Sequence, residues 1–291
     1  MSELSRRVAV AVVGIPAVLG LAYLGGWFLA VPIAGFAAWG AHECYRLASV
    51  QGLGPLGVVG SATSAGFVLL AAWRPVFADF APWALALVGV STGVTLVAAM
   101  LCRPPDQHPL AASAIAVFGS VYAGLSLSFI PLLRGLPGVE GWAEGEAMGW
   151  PGLFIVALPL VTTWVGDGSA FFAGTAWGKK KLAPTISPNK SWVGFWADLI
   201  GASVAAVLWM ILAQPLLPGL DLGGLWVVAL IGALLGVAGV IGDLVESLLK
   251  RGGGAKDSGT FFPGHGGVLD RIDSLIFAIP IAYCSLVLVA G

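Results

Sequence analysis

The sequence predicts an all-α, polytopic membrane protein, and three observations carry that prediction. Charged residues make up 10% of the 291 positions and hydrophobic residues 58%, against roughly 25% charge in an ordinary globular protein. Mean hydropathy is +0.94. The 14 Lys/Arg and 15 Asp/Glu are gathered into groups that punctuate long uncharged stretches. So little charge cannot cover a soluble surface. The 42 Gly and 18 Pro follow no collagen-like period, and membrane helices tolerate both residues.

The uncharged stretches are Val8–His42, Leu47–Trp73, Phe80–Cys102, Gln107–Leu133, Ala147–Gly166, Leu199–Leu220, Leu222–Gly242 and Ser274–Gly291. A spanning helix needs about 20 residues. Val8–His42 holds two short spans that turn at Gly25-Gly26-Trp27, and each other stretch holds one. About nine transmembrane helices result, near 8–24, 27–43, 54–73, 82–101, 111–133, 150–168, 197–214, 224–242 and 274–290. Arg6 and Arg7 before Val8 resemble a signal-peptide start, but the many later runs favour an uncleaved first span. With the N-terminus cytosolic and the C-terminus outside, only Arg74 and Arg134 of the 14 basic residues fall on the outer side, as the positive-inside rule requires. Trp27, Trp73, Trp83, Trp142, Trp150, Trp177 and Trp192 stand near expected span ends, where interfacial aromatics belong.

The expected organisation is an N-terminal transmembrane region of about five helices, 1–150, and a C-terminal region, 151–291, that carries two polar cytosolic segments, 167–198 and 243–273. Cys44, Cys102 and Cys284 form no CxxC pair or disulfide framework. Gly232 and Gly236 form a GxxxG, read as close helix packing within the chain.

The two polar segments hold eight of the 14 basic residues. If the helix before Asp243 continues past the bilayer, Asp243, Glu246, Ser247 and Lys250 fall at i, i+3, i+4 and i+7 and share a face. If the last helix begins near Val268, Asp270 and Asp273 share one as well. The intervening loop contains Gly252, Gly253, Gly254, Gly259, Gly264 and Gly266. Such a loop can bring backbone N–H groups to phosphate oxygens, with Lys250, Arg251 and Lys256 adding positive charge. Opposed carboxylates suit Mg²⁺, which binds one or two carboxylates together with water and substrate phosphates. This is the layout that phosphoryl or nucleotidyl transfer requires.

The run Ser247-x-Leu249-Lys250-Arg251-x4-Lys256-Asp257-x-Gly259-x2-Phe262-Pro263-x-His265-Gly266-Gly267-Val268-x-Asp270-Arg271-Ile272-Asp273 resembles the signature of phosphatidate cytidylyltransferases, also called CDP-diacylglycerol synthases. It fits at every defined position. The earlier segment, Asp167-Gly168-Ser169 through Gly178-Lys179 to Ile186-Ser187-Pro188-Asn189-Lys190-Ser191-Trp192, is similar to the same family. Phe171, Thr175 and Val193 depart from its usual Tyr, Arg and Glu, which puts fine substrate contacts in doubt. The likeness is weak over the first 150 residues and strong from Asp167 onward. Gly174…Gly178-Lys179 is not a P-loop, since its spacing is one residue short and Lys180 stands where Ser/Thr is needed.

The resemblance implies conversion of CTP and phosphatidate to CDP-diacylglycerol and pyrophosphate, in an integral protein of the bacterial cytoplasmic membrane with its active site facing the cytosol. It implies Asp243, Asp270, Lys256 and His265 as catalytic residues, with Asp243 and Asp270 holding Mg²⁺, with or without a second, monovalent cation. The choice between base and phosphate donor stays open for His265. Asp167, Ser187, Lys190, Ser247, Lys250, Arg251, Asp257, Arg271 and Asp273 are the implied substrate-binding residues. Lys256, Lys190 and Arg271 would neutralise phosphate charge, and Asp257 would orient Lys256 or meet metal. Lys179–Lys181 read instead as an orientation signal or an anionic-lipid contact, and His42 and Glu43 as structural residues closing the second helix. Expected partners are the two substrates, membrane lipids and, from the family, a second copy of the chain; no nucleic acid is expected. Rival readings are a cytidylyltransferase or kinase acting on another lipid and, from a different class, a transporter. A transporter would favour charges near the bilayer midplane and repeated halves.

Overall fold

A computed structural model describes residues 3–54, 56–136, 149–217, 220–262 and 266–290. Helices α1 (Glu3–Leu24), α2 (Gly26–Val50), α3 (Gly57–Trp73) and α4 (Phe77–Cys102) come first. A long segment follows in which α5 (Pro109–Gly119) and α6 (Ser126–Arg134) are joined by a π-helical turn at Ser120–Leu125. Then come α7 (Trp150–Trp177), the strands β1 (Lys181–Ala183) and β2 (Ser187–Ser191), and α8 (Trp192–Ala213), α9 (Leu225–Gly252) and α10 (Leu269–Ala290). Each expected span therefore coincides with a helical segment among the described residues. Among the described residues, six segments are long and apolar enough to cross a membrane: Phe77–Cys102, Pro105–Arg134, Trp150–Trp177, Trp192–Leu216, Leu225–Gly252 and Leu269–Val289.

The protein is thus an all-α membrane protein in its main architecture, with one small addition. β1 and β2 form an antiparallel hairpin, with Lys181 opposite Ser191 and Ala183 opposite Ser187. Pro184 and Pro188 follow Ala183 and Ser187, and a residue before proline is pushed out of the helical region into extended conformation. Ser191 then starts α8 by accepting the Gly194 N–H on its hydroxyl at 3.1 Å, an N-cap that satisfies one orphan donor of the first turn.

Several helix ends lie further out than hydropathy placed them, four of them beside the polar segments. α7 runs on to Trp177, α8 begins at Trp192, α9 continues to Gly252, and α10 starts at Leu269. In α7, α9 and α10 the extension carries the polar residues next to the apolar stretch. Helical hydrogen bonding does not depend on hydropathy, so the helix does not stop where the apolar run does.

Two compact units make up the chain, one from Met1–Leu132 and Leu249–Ile272, the other from Leu133–Leu248 and Asp273–Gly291. In the first, α2 packs against α3 and the π-turn. The buried Tyr45 hydroxyl donates to the Ala116 carbonyl at 2.7 Å, and Ser64 donates to Ala37 at 2.8 Å. Gly60 and Gly119 make room for the Tyr45 ring, since a Cβ at either would collide with it. On α4, Leu85, Val90, Val94, Leu96, Val97, Met100 and Leu101 are exposed, which inverts the soluble pattern and suits a hydrocarbon surrounding.

In the second unit α7 lies along α8, and Trp209 donates its indole N–H to the Phe154 carbonyl at 2.7 Å. Gly232 and Gly236 bring α9 onto α8. A Cβ on Gly232 would sit 2.7 Å from the Ala202 carbonyl, and one on Gly236 would sit 2.9 Å from Asp198 Oδ1. The GxxxG is thus spent on packing inside the chain.

Candidate functional site

α9 crosses its apolar stretch and then presents Asp243, Glu246 and Ser247 on one helical face, as their spacing predicts. Gly242 lets the start of α10 approach closely: a Cβ there would press into the Asp273 peptide, 3.1 Å from its carbonyl carbon. This contact brings Asp273 to α9. Asp243, Glu246 and Asp273 each offer a carboxylate oxygen, and these oxygens lie within 4.8 Å of one another. Glu246 is fully buried, and the other two are half-buried. Ser247 donates to Asp243 Oδ1 at 3.2 Å.

The hairpin delivers a cation to the same cluster. Lys190 Nζ, on β2, pairs with Asp243 Oδ2 at 2.8 Å and reaches the Val240 carbonyl at 3.4 Å. Asp167 on α7 and Asp198 on α8 lie within electrostatic range of Lys190 and Asp243. Gly166 and Gly236 leave the space that the buried Asp198 carboxylate fills, each having its Cβ position under 3 Å from Oδ1. Ser187 is half-buried at the start of β2, opposite Ala183. Several carboxylates thus share one lysine, and the donors are all oxygens. That set suits a hard divalent cation such as Mg²⁺.

The first unit holds the rest of the signature. Asp270, in the first turn of α10, has both oxygens engaged. Oδ1 accepts from Lys250 Nζ at 2.7 Å. Oδ2 accepts from the Ser258 N–H at 2.9 Å, the Ser258 hydroxyl at 2.9 Å and the Gly267 N–H at 2.8 Å. Both members of the ion pair are buried at their side chains, 12% and 6% exposed. Of the two carboxylates assigned to metal from the sequence, Asp243 lies in the carboxylate cluster, and Asp270 organises the glycine-rich loop and Lys250.

Glu43 completes the loop's support. Its carboxylate accepts from the Ser258 hydroxyl at 2.9 Å, the Val268 N–H at 3.1 Å and the Leu269 N–H at 2.8 Å. The N–H groups of Ser258, Gly267, Val268 and Leu269 are directed at Asp270 and Glu43. The glycines are required because these carboxylates close around the loop: a Cβ on Gly259 or Gly267 would collide with Glu43, and one on Gly266 would lie 2.5 Å from Asp270 Oδ2. Gly266 also has φ +79°, a left-handed conformation suited to glycine.

Lys256, Asp257 and Arg271 are exposed, as is Arg251, which donates to the Ala255 carbonyl at 3.2 Å. His265 lies outside the described residues. Lys179, Lys180 and Lys181 are exposed at the entry to the hairpin. Sequence reasoning passed over Asp198, Ser258 and Glu246 as site residues and read Glu43 as structural. For the three acids the available signal was the rarity of carboxylates in apolar helices, which marks each as costly to bury and so in need of a partner; no such signal marks Ser258.

Apolar helices with carboxylates and lysines gathered at their polar extensions define a membrane protein equipped to handle phosphate groups. The family model described as "Cytidylyltransferase family" matches residues 5–289, and the chain belongs to that family. It is similar to the phosphatidate cytidylyltransferase of Synechocystis, 31% identical over 98% of this chain and 97% of the relative. It is also similar to the enzyme of that name from Pseudomonas aeruginosa, 36% identical over 99% of this chain and 98% of the relative. The Bacillus subtilis phosphatidate cytidylyltransferase is 44% identical over 47% of the chain and 49% of its own length.

Proposed function

We propose that this protein transfers the cytidylyl group of CTP to phosphatidate, forming CDP-diacylglycerol and pyrophosphate for phospholipid synthesis. The observation that carries the reading is its end-to-end similarity to two phosphatidate cytidylyltransferases, over 97–98% of their lengths. In the reaction a phosphatidate oxygen attacks the α-phosphorus of CTP. The bond from that phosphorus to the oxygen bridging the α- and β-phosphates breaks, and pyrophosphate departs with the electron pair. The phosphatidate oxygen is already anionic near neutral pH, so no strong base is needed. The difficulty is to align two anions that repel each other and to stabilise the charge on the leaving group.

Asp243, Glu246 and Asp273 are the residues that fit Mg²⁺, and bound Mg²⁺ would supply positive charge against the triphosphate. Lys190, held by Asp243, is the nearest protein cation to that charge. Asp270, paired with Lys250, is proposed with Asp243 as catalytic and metal-binding, as the family signature implies, and Lys256 and His265 as catalytic. Arg271, exposed on α10, is a cation for the phosphates, with Arg251, Asp257, Asp167, Ser187 and Ser247 as further substrate contacts. The finer topology proposed is nine spans, N-terminus in the cytosol, with both polar segments on the cytosolic side of the bacterial inner membrane, where CTP is available. A homodimer and a second, monovalent cation complete the proposal.

The test is purified protein with CTP labelled in the α-phosphate, Mg²⁺ and a panel of lipid phosphates. Label should pass into lipid with phosphatidate. Label entering another lipid phosphate instead would move the substrate assignment, and no transfer to any acceptor would refute an enzymatic role.

A further inference from the structure

Glu43 is only 1% exposed, on a helix that is otherwise mostly apolar. Its carboxylate takes hydrogen bonds from more than 200 positions away: from the Ser258 hydroxyl and the N–H groups of Val268 and Leu269. A buried carboxylate is costly unless it is hydrogen-bonded, and charge-assisted bonds of this kind are roughly twice as strong as neutral ones. The two N–H groups belong to the opening of α10, where backbone donors have no helical acceptor and the helix dipole favours negative charge. Glu43 therefore caps α10 from another helix.

The consequence for the site runs through one hydroxyl. Ser258 Oγ lies 2.9 Å from Glu43 Oε2 and 2.9 Å from Asp270 Oδ2, and it accepts the Asp270 N–H at 3.3 Å. Ser258 has one proton to donate and two carboxylates facing it, so the placement of each acid depends on the other. With Oδ2 of Asp270 held by Ser258 and Gly267, Oδ1 is left directed at Lys250. Gly259 and Gly267 are closed against the Glu43 carboxylate on both sides.

We infer that Glu43 is a positioning residue for the transfer reaction: through Ser258 and the capped start of α10 it fixes the glycine-rich loop and the Asp270–Lys250 pair. The inference rests on the cytidylyl-transfer reading above. Glu43 touches no substrate, so its loss acts on how well the loop is ordered.

Glu43→Gln preserves volume but turns an amide N–H₂ toward a set of donors. The expected result is a fall in kcat of about 10- to 100-fold, the range seen when an outer partner of a functional ligand is lost, with KM for CTP and phosphatidate changed by no more than about threefold. Glu43→Asp should recover part of that loss. Hydrogen exchange on the purified protein should speed up about tenfold or more at Ser258, Gly267, Val268 and Leu269 and stay unchanged in the middle of α10. Wild-type kcat in Glu43→Gln overturns the inference, as does a kcat loss with no change in exchange at these four amides. If Glu43→Gln does not accumulate in the membrane, Ser258→Ala carries the same test, and wild-type kcat and exchange there would overturn it. Inactivity of the wild-type protein would refute the reaction reading, whereas the exchange pattern tests the positioning independently.

Discussion

Neutralising Asp243 tests the carboxylate cluster most severely. Two carboxylate charges at the 4.8 Å limit of the cluster repel by about 3.5 kcal/mol at an effective dielectric of about 20. Three acids make three such pairs. The Lys190 contact at 2.8 Å is worth about 6 kcal/mol on the same footing, less after solvent screening of the half-buried pair. Lys190 offsets part of that repulsion at Asp243. Asp243→Asn removes two of the three repulsive pairs and the Lys190 ion pair together, and leaves a neutral amide oxygen where the set had an anionic donor. The metal-free protein should accordingly keep its fold, and its affinity for a divalent cation should drop about 100-fold or more, equivalent to about 2.7 kcal/mol.

The assay is thermal unfolding in detergent, with chelator and with Mg²⁺, beside turnover. Saturating Mg²⁺ at about 100 times Kd should stabilise the wild type by about 2.7 kcal/mol, a rise of several degrees in Tm. Asp243→Asn should match the wild type within a few degrees in chelator, show no Mg²⁺-dependent rise, and lose about 1000-fold or more in turnover. An intact Mg²⁺ shift with wild-type turnover in this variant would refute the metal assignment.

Other perturbations separate the remaining roles. Lys190→Ala should lower kcat/KM for CTP about 100-fold in steady-state assays, because the lysine paired with Asp243 is lost. Lys179→Ala should leave turnover within about twofold, since Lys179 is exposed; a larger loss in the same assay would move the lysine run into the site. Gly267→Ala puts a methyl group into the Glu43 carboxylate and should cost about 1–3 kcal/mol in stability, visible as a lower Tm together with reduced activity.

Much of the architecture was legible because charge is scarce. Uncharged runs located the helices, and the i, i+3, i+4 spacing alone placed Asp243, Glu246 and Ser247 on one face. Helix ends were less legible: hydropathy marks where lipid contact stops, while α7, α9 and α10 keep their hydrogen bonding through polar residues. The hairpin carrying Lys190 was hidden because its five-residue strand β2 has no apolar alternation, and its form follows from Pro184 and Pro188. Glycines beside lysines suggest a phosphate cradle, and a sequence cannot show that Glu43, more than 200 positions away, and Asp270 take the N–H groups of Ser258, Gly267, Val268 and Leu269. Asp198 was missed for a similar reason, since the glycines that accommodate it, Gly166 and Gly236, lie on two other helices.

The most direct test of the central claim is ³¹P NMR of the purified protein reconstituted with phosphatidate, CTP and Mg²⁺. The account predicts that pyrophosphate and CDP-diacylglycerol appear in equal amounts, that chelator stops both, and that Asp243→Asn forms neither. Inorganic phosphate in place of pyrophosphate, or undiminished product formation by Asp243→Asn, would contradict it.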